Sequence, residues 1–165
     1  MHRITLKRRF TGNIVMMAVV LSTVVVAGVR AAPLTLLETS ELIVETAKGR
    51  FAFTVELART WEQKTQGLQG RHRLASNAGM LFDYQPPQLT VMWMKNTYLA
   101  LDIIFIAADG RIINIVQRTT PLSPAKIRSD RPARAVLEVN AGTVAWLGIL
   151  PGNRVLHPIF GVTAR

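Results

Sequence analysis

Residues 101–117, LDIIFIAADGRIINIVQ, constrain the fold more than any other part of the chain. Leu101 to Ala107 is an unbroken apolar run except for Asp102. A short run without polar alternation predicts a strand buried on both faces. Asp109-Gly110 follows, a pair suited to a tight hairpin turn because both residues tolerate positive φ. Arg111 to Gln117 then predicts the returning strand.

The rest of the body is patterned like this hairpin. Glu41 to Thr46 and Phe51 to Ala58 predict two strands joined by a turn at 47–50. In the second, Phe51, Phe53, Val55 and Leu57 alternate with Ala52, Thr54, Glu56 and Ala58, which sets one apolar face. Thr60 with Gln63 forms a capping-box pattern and opens a helix over 61–68, with Trp61, Thr65 and Leu68 on one face and Gly70 as its stop. Further strands are expected at 79–82, 89–94, 134–139 and 154–160, and a short helix near 143–148. Pro86-Pro87 marks 83–88 as a loop, and 118–133, with three prolines and five charges, as a long surface loop. Many short strands with regular turns point to a mostly β, compact single domain, sandwich or barrel-like, with one or two short helices.

The first residues differ in kind. Met1 to Phe10 is basic, Asn13 to Val29 is apolar, and Val29-Arg30-Ala31 suits cleavage after Ala31. This is the three-part pattern of a secretory signal. At about 16 residues the apolar run is short of the roughly 20 that span a bilayer. An uncleaved signal anchor is the alternative, and Arg8-Arg9 hints at a twin-arginine route. The expected organisation is a signal at 1–31, a tether and first strand at 32–50, and a β domain at 51–165. The expected location is periplasmic or secreted, with membrane contact only through the N-terminal segment if it is retained.

Charge follows the same division. Of the formal net charge of +10, half comes from Arg3, Lys7, Arg8, Arg9 and Arg30 in the signal. The remaining bases are scattered and not interleaved with aromatic residues, so no nucleic-acid partner is expected. The chain has no cysteine, which removes disulfides, thiolate metal sites, thiol nucleophiles and a lipid anchor on Cys. No cofactor motif is present: Gly67-x-x-Gly70 lacks the preceding strand and following Lys of a phosphate loop.

Several blocks, in order, resemble those of the domain-of-unknown-function family 192 (DUF192), also filed as an uncharacterised protein family. They are GMLF (79–82), WMKNT (93–97), LDIIF (101–105), the Asp109-Gly110 turn, VLEV (136–139) with Ala141-Gly142, and GILPG (148–152). Gly67-Leu68 with Arg71 is similar to a further block. Gln69 stands where the family usually has Met, and Ala100 where it usually has Pro. The resemblance covers roughly 53–156. It implies a compact, mostly β domain, often exported, with no established activity.

Five polar residues stand inside apolar or glycine-marked blocks: Arg71, Lys95, Asn96, Asp102 and Glu138. Their clustering would make a non-catalytic site for a small molecule or an envelope component. Lys95-Asn96-Thr97 has two readings, as holder of an anionic or sugar-like ligand and as turn chemistry in which Asn takes a left-handed backbone. Asp102 and Glu138 also have two. A carboxylate within an apolar strand costs several kcal/mol, of the order of 1–7, unless it is hydrogen-bonded or paired, with Lys95 or Arg71 as available cations. Facing one cleft, the two acids would be the acid/base pair of a hydrolase or lyase acting on an envelope carbohydrate. Met80, Met92 and Met94, with His72, raise copper handling as a third reading, because thioether sulfur suits Cu(I). Met92 and Met94 are expected to point one way from their strand, and Trp93 the other.

Overall fold

The computed structural model describes residues 37–162. The signal expected at 1–31 lies outside the described residues. The elements in chain order are β1 (Thr39–Thr46), β2 (Gly49–Ala58), α1 (Trp61–Gln66), β3 (Ala78–Gln88), β4 (Val91–Met92), β5 (Leu101–Ile106), β6 (Ile112–Val116), β7 (Ile127–Arg128), β8 (Ala133–Asn140), α2 (Thr143–Leu147) and β9 (Arg154–Leu156), followed by a 3-10 turn at Pro158–Phe160.

Seven strands form one sheet in the order β6-β5-β8-β3-β2-β1-β9, and β4 pairs with β7 in a small second sheet. The β2–β3 pair is parallel and the others antiparallel. A parallel pair needs a long return connection, and the segment from Arg59 to Asn77, which contains α1, supplies it. The two edge strands approach each other at one end. Ile112 N–H donates to Asn153 O at 2.9 Å, and Val155 N–H to Gly110 O at 2.8 Å. The sheet is thus curled into a half-barrel, the barrel-like form of the expected β domain. Gly110 is required there: its φ is +82°, and a Cβ would lie 2.6 Å from Val155 O.

The curl gives the sheet an inner and an outer face, each with its own core. Leu42, Val55, Leu81, Ile104, Leu137 and Val139 fill the inside with Val144 and Leu147 of α2. Met80, Phe82, Ile103, Phe105 and Val136 lie on the outer face, packed with Leu68, Met92 and Met94. All six residues of β5 are buried, as its composition requires.

Several local expectations are corrected by packing. β3 runs on through Pro86-Pro87 to Gln88, where it re-pairs with Ala133 after a register shift, so 83–88 is not a loop. Only Val91–Met92 of the 89–94 segment is strand. α1 ends at Gly67, whose positive φ stops it before Gly70, and Leu68 is buried while Trp61 is exposed. The last strand is three residues, because Pro158 opens the 3-10 turn. The capping box at Thr60 forms as expected: Gln63 N–H donates to the Thr60 hydroxyl, and Thr60 N–H to the Gln63 side chain.

Asp102 is the polar exception in β5. Its side chain enters the inner core, fully buried, and all its partners are backbone. Oδ1 accepts from Arg118 N–H at 2.8 Å, and Oδ2 accepts from Gly142 and Val144 N–H, each at 2.9 Å. Gly142 is the N-cap of α2 and has no capping side chain, so Asp102 caps this helix from across the fold. One carboxylate joins the start of β5, the chain leaving β6 and the start of α2.

Two stability outcomes follow. Asp102→Ala strands one buried and two part-buried N–H groups, at about 1–3 kcal/mol for each that water does not reach, and is expected to lower the unfolding free energy by roughly 2 kcal/mol or more in a urea titration. A loss near that of an ordinary surface substitution, about 0.5 kcal/mol, would show the cap to be dispensable. Thr60→Ala removes the α1 cap and is expected to cost about 1 kcal/mol in the same assay.

Candidate functional site

Glu138 is in the middle of β8, opposite Met80 of β3 and Ile103 of β5. Asp102 is opposite Val139, the next residue along. Adjacent strand residues face opposite ways. Glu138 therefore enters the outer layer while Asp102 enters the inner one, and the two carboxylates cannot serve one cleft. The acid/base pair expected of a hydrolase or lyase is not formed, and both Asp102 oxygens are already occupied.

The outer layer over Glu138 is not filled. A cleft of about 300 Å³ opens there, with Glu138 at its floor. Trp61 and Lys64 of α1 line one side, and Tyr84 of β3, Met92 of β4 and Trp93, just after β4, line it too. Thr97, from the turn after Trp93, also reaches the cleft. The elements are placed by simple means. α1 is held by its capping box, and the turn is tied to the end of α1. Gly70 N–H donates to Asn96 O at 2.9 Å, and the Asn96 amide donates to Gln69 Oε1 at 3.3 Å. Gln69 in turn donates to Thr65 O at 2.6 Å. Gln69 thus acts as a polar clasp rather than an apolar filler.

Glu138 is 4% exposed. Burial alone pushes its carboxyl up to about 8, with no cation or hydrogen bond drawing it back. At neutral pH it is mainly the neutral acid, which can both donate and accept. Tyr84 is pushed up to about 12, first by burial and then by the charge of Glu138, so it stays a phenol. Its hydroxyl is 3.5 Å from Met92 Sδ. Lys64 Nζ is 4.8 Å from the centre of the Tyr84 ring. Burial, then the charge of Arg134, lowers the Lys64 pKa. The cleft therefore offers neutral hydrogen-bonding groups, one cation near its mouth and two exposed indoles.

Of the five residues singled out from the sequence, Glu138 alone lines the cleft. Asn96 is one hydrogen bond from it through Gln69, and its φ of +57° is the left-handed turn backbone that Asn tolerates. Lys95 is exposed on the same turn. Arg71 is paired with Glu56, at 2.5 and 2.6 Å, rather than with Asp102 or Glu138. Asp102 is on the other side of the sheet. Met80, Met92 and Met94 all lie in the outer core, where Met92 also meets Tyr84, while His72, the further ligand of the copper reading, is exposed and stacks on Tyr98 at 4.7 Å. Among the described residues no three His, Asp or Glu side chains gather as a metal site would need.

The residues missed by sequence reasoning are Trp61, Lys64, Tyr84 and Trp93. Two carried a usable signal. Trp61 is the one large apolar residue of the otherwise polar helix WEQKTQ, so no apolar stripe buries it. Trp93 stands opposite Met92 and Met94, which are 8% and 1% exposed, and is itself 46% exposed. It does point the other way, as strand alternation predicts.

No curated protein matches the chain. Solved structures do. A protein of unknown function from Novosphingobium aromaticivorans DSM 12444 is 38% identical, with a TM-score of 0.73 over 78% of this chain and 91% of that one. A candidate transcription regulator from Sinorhizobium meliloti 1021 is 44% identical, again with a TM-score of 0.73, over 74% of this chain and 96% of that one. The family model described as uncharacterized, DUF192, matches residues 43–157. That span includes the outer core, the inner core except Leu42 and Phe160, the cleft and the Asp102 cap, and the chain belongs to the DUF192 family.

Proposed function

We propose that this protein is a non-catalytic binding module of the cell envelope, exported by its N-terminal segment, that seats a small molecule over Glu138. One observation carries the reading. A carboxyl group is held in the middle of a packed sheet, with no hydrogen-bond or ion-pair partner among the described residues, at the floor of an open cleft. An apolar residue there would pack at no desolvation cost, whereas a lone buried acid costs several kcal/mol, of the order of 1–7. A ligand that hydrogen-bonds the acid offsets that cost. The description of the S. meliloti relative would suggest nucleic acid. Against it, Arg59, Arg71 and Arg134, which flank this face, are already committed to acidic partners.

Glu138 also makes stability depend on pH in a stated direction. In the unfolded chain its carboxyl titrates near its ordinary value of 4.5, and in the fold near 8. The folded state holds the extra proton between these values. The contribution is full below about 4.5 and is lost as pH rises through about 8. Glu138→Gln keeps the shape without the titration. The variant and the parent are expected to unfold alike near pH 5, and the variant to be more stable near pH 9. The gap reaches at most about 4 kcal/mol, at roughly 1.4 kcal/mol per pH unit. Urea titrations at both pH values measure it, and parallel pH profiles would show that the group does not titrate in the fold as described.

The binding role is tested by a thermal-shift screen of small envelope components against the parent and Glu138→Leu. A ligand at 100 times its dissociation constant adds about 2.7 kcal/mol, a shift of several degrees for a domain this size, roughly 4–8 °C per kcal/mol at most. Compounds that raise the parent's melting temperature and not the variant's are expected. A screen in which every shift is shared by Glu138→Leu would overturn the cleft as the binding site.

A further inference from the structure

We infer that the ligand of the cleft is a neutral sugar, one ring of which packs on Trp61 and Trp93 while its hydroxyl groups bond the Glu138 carboxyl. The inference rests on the binding role proposed above and names its ligand class. Trp61 is 74% exposed and Trp93 46%, and both line the cleft whose floor is Glu138. Large apolar side chains left in water beside a polar floor match a ligand with one apolar and one polar aspect. A pyranose has both, with C–H groups on its faces and hydroxyls around its rim. The remaining polar lining is uncharged apart from Lys64: Gln88, Thr65 and Thr97 present amide and hydroxyl groups that pair with hydroxyls in either sense. About 300 Å³ is the lower end of the range for small-ligand sites, which fits one or two rings.

The other ligand classes fit less well. A quaternary ammonium would use aromatic faces and a carboxylate. Here Lys64 already lies over the Tyr84 ring, 4.8 Å from its centre, so the protein's own cation takes that face and repels another. An anion would find one cation, Lys64, among the described residues that line the cleft. Glu138 held as the neutral acid supports an uncharged ligand at neutral pH.

The test uses tryptophan fluorescence. The chain has three Trp, and Trp146 is exposed on α2, outside the cleft. In a Trp146→Phe background the signal reports only Trp61 and Trp93. The domain is titrated with glucose, N-acetylglucosamine, maltose and diacetylchitobiose, and separately with choline and inorganic phosphate, each to about 10 mM, where even dissociation constants near 1 mM saturate. At least one sugar is expected to give a saturable change, and calorimetry is expected to show binding weakened tenfold or more in each of Trp61→Ala and Trp93→Ala. Trp146→Phe alone is expected to bind as the parent does. Choline or phosphate binding that needs the same tryptophans, with no sugar binding, would overturn the sugar class and leave the cleft as a binding site. Silence with every probe would also overturn the sugar class, and the envelope-component screen with Glu138→Leu then decides the cleft itself. Sugar binding unaffected by either tryptophan substitution would place it elsewhere and overturn the inference.

Discussion

The inner half of this fold depends on the three backbone N–H groups that Asp102 gathers. Each belongs to a segment that would otherwise end in an unsatisfied donor: Arg118 at a positive-φ position after β6, and Gly142 and Val144 at the start of an uncapped helix. The inner core is apolar and cannot satisfy them, and water does not reach a side chain with no exposed surface. A single carboxylate from the central strand completes all three. The chain leaving β6 and α2 are thereby fixed to β5, and α2 closes one end of the curled sheet with Val144 and Leu147.

Glu138 is the counterpart of Asp102 and shows what a partner changes. The two acids are on neighbouring strands, at adjacent register positions, with nearly equal burial. Asp102 accepts three hydrogen bonds. Glu138 accepts none that draws its pKa down, and burial raises it to about 8. The first stabilises the fold, while the second weakens it progressively as pH rises. The cleft above Glu138 explains how such a residue fits the fold: the outer layer there is a short helix, a turn and a two-stranded ribbon, which cover the sheet incompletely.

Much of this was legible in the order of residues. The two-face burial of β5, the hairpin at Asp109-Gly110, the Thr60 capping box and the opposed directions of Trp93 and its methionine neighbours all arise from contacts within a few positions, where periodicity and turn chemistry act directly. Element ends were less legible. β3 continues through Pro86-Pro87 because β8 is available to pair with it again at Gln88 and Ala133. The segment 89–94 is mostly irregular because its one strand partner is the two-residue β7.

The sequence by itself determined that the chain is a mostly β domain with Asp102 and Glu138 out of place in apolar strands. It determined their oddity because burial of a strand follows from local composition. Only the tertiary structure decided their fates. Whether two strand residues share a face depends on the register between strands, and here Asp102 pairs with Val139 and Ile103 with Glu138, which sends the acids to opposite sides. Whether a buried carboxylate is satisfied depends on donors 16 to 42 positions away in the chain, which no local pattern encodes. Whether Trp61 and Trp93 line one cleft with Glu138 depends on how α1 and the 93–97 turn settle on the outer face, where the clasp through Gln69 and Asn96 ties them together.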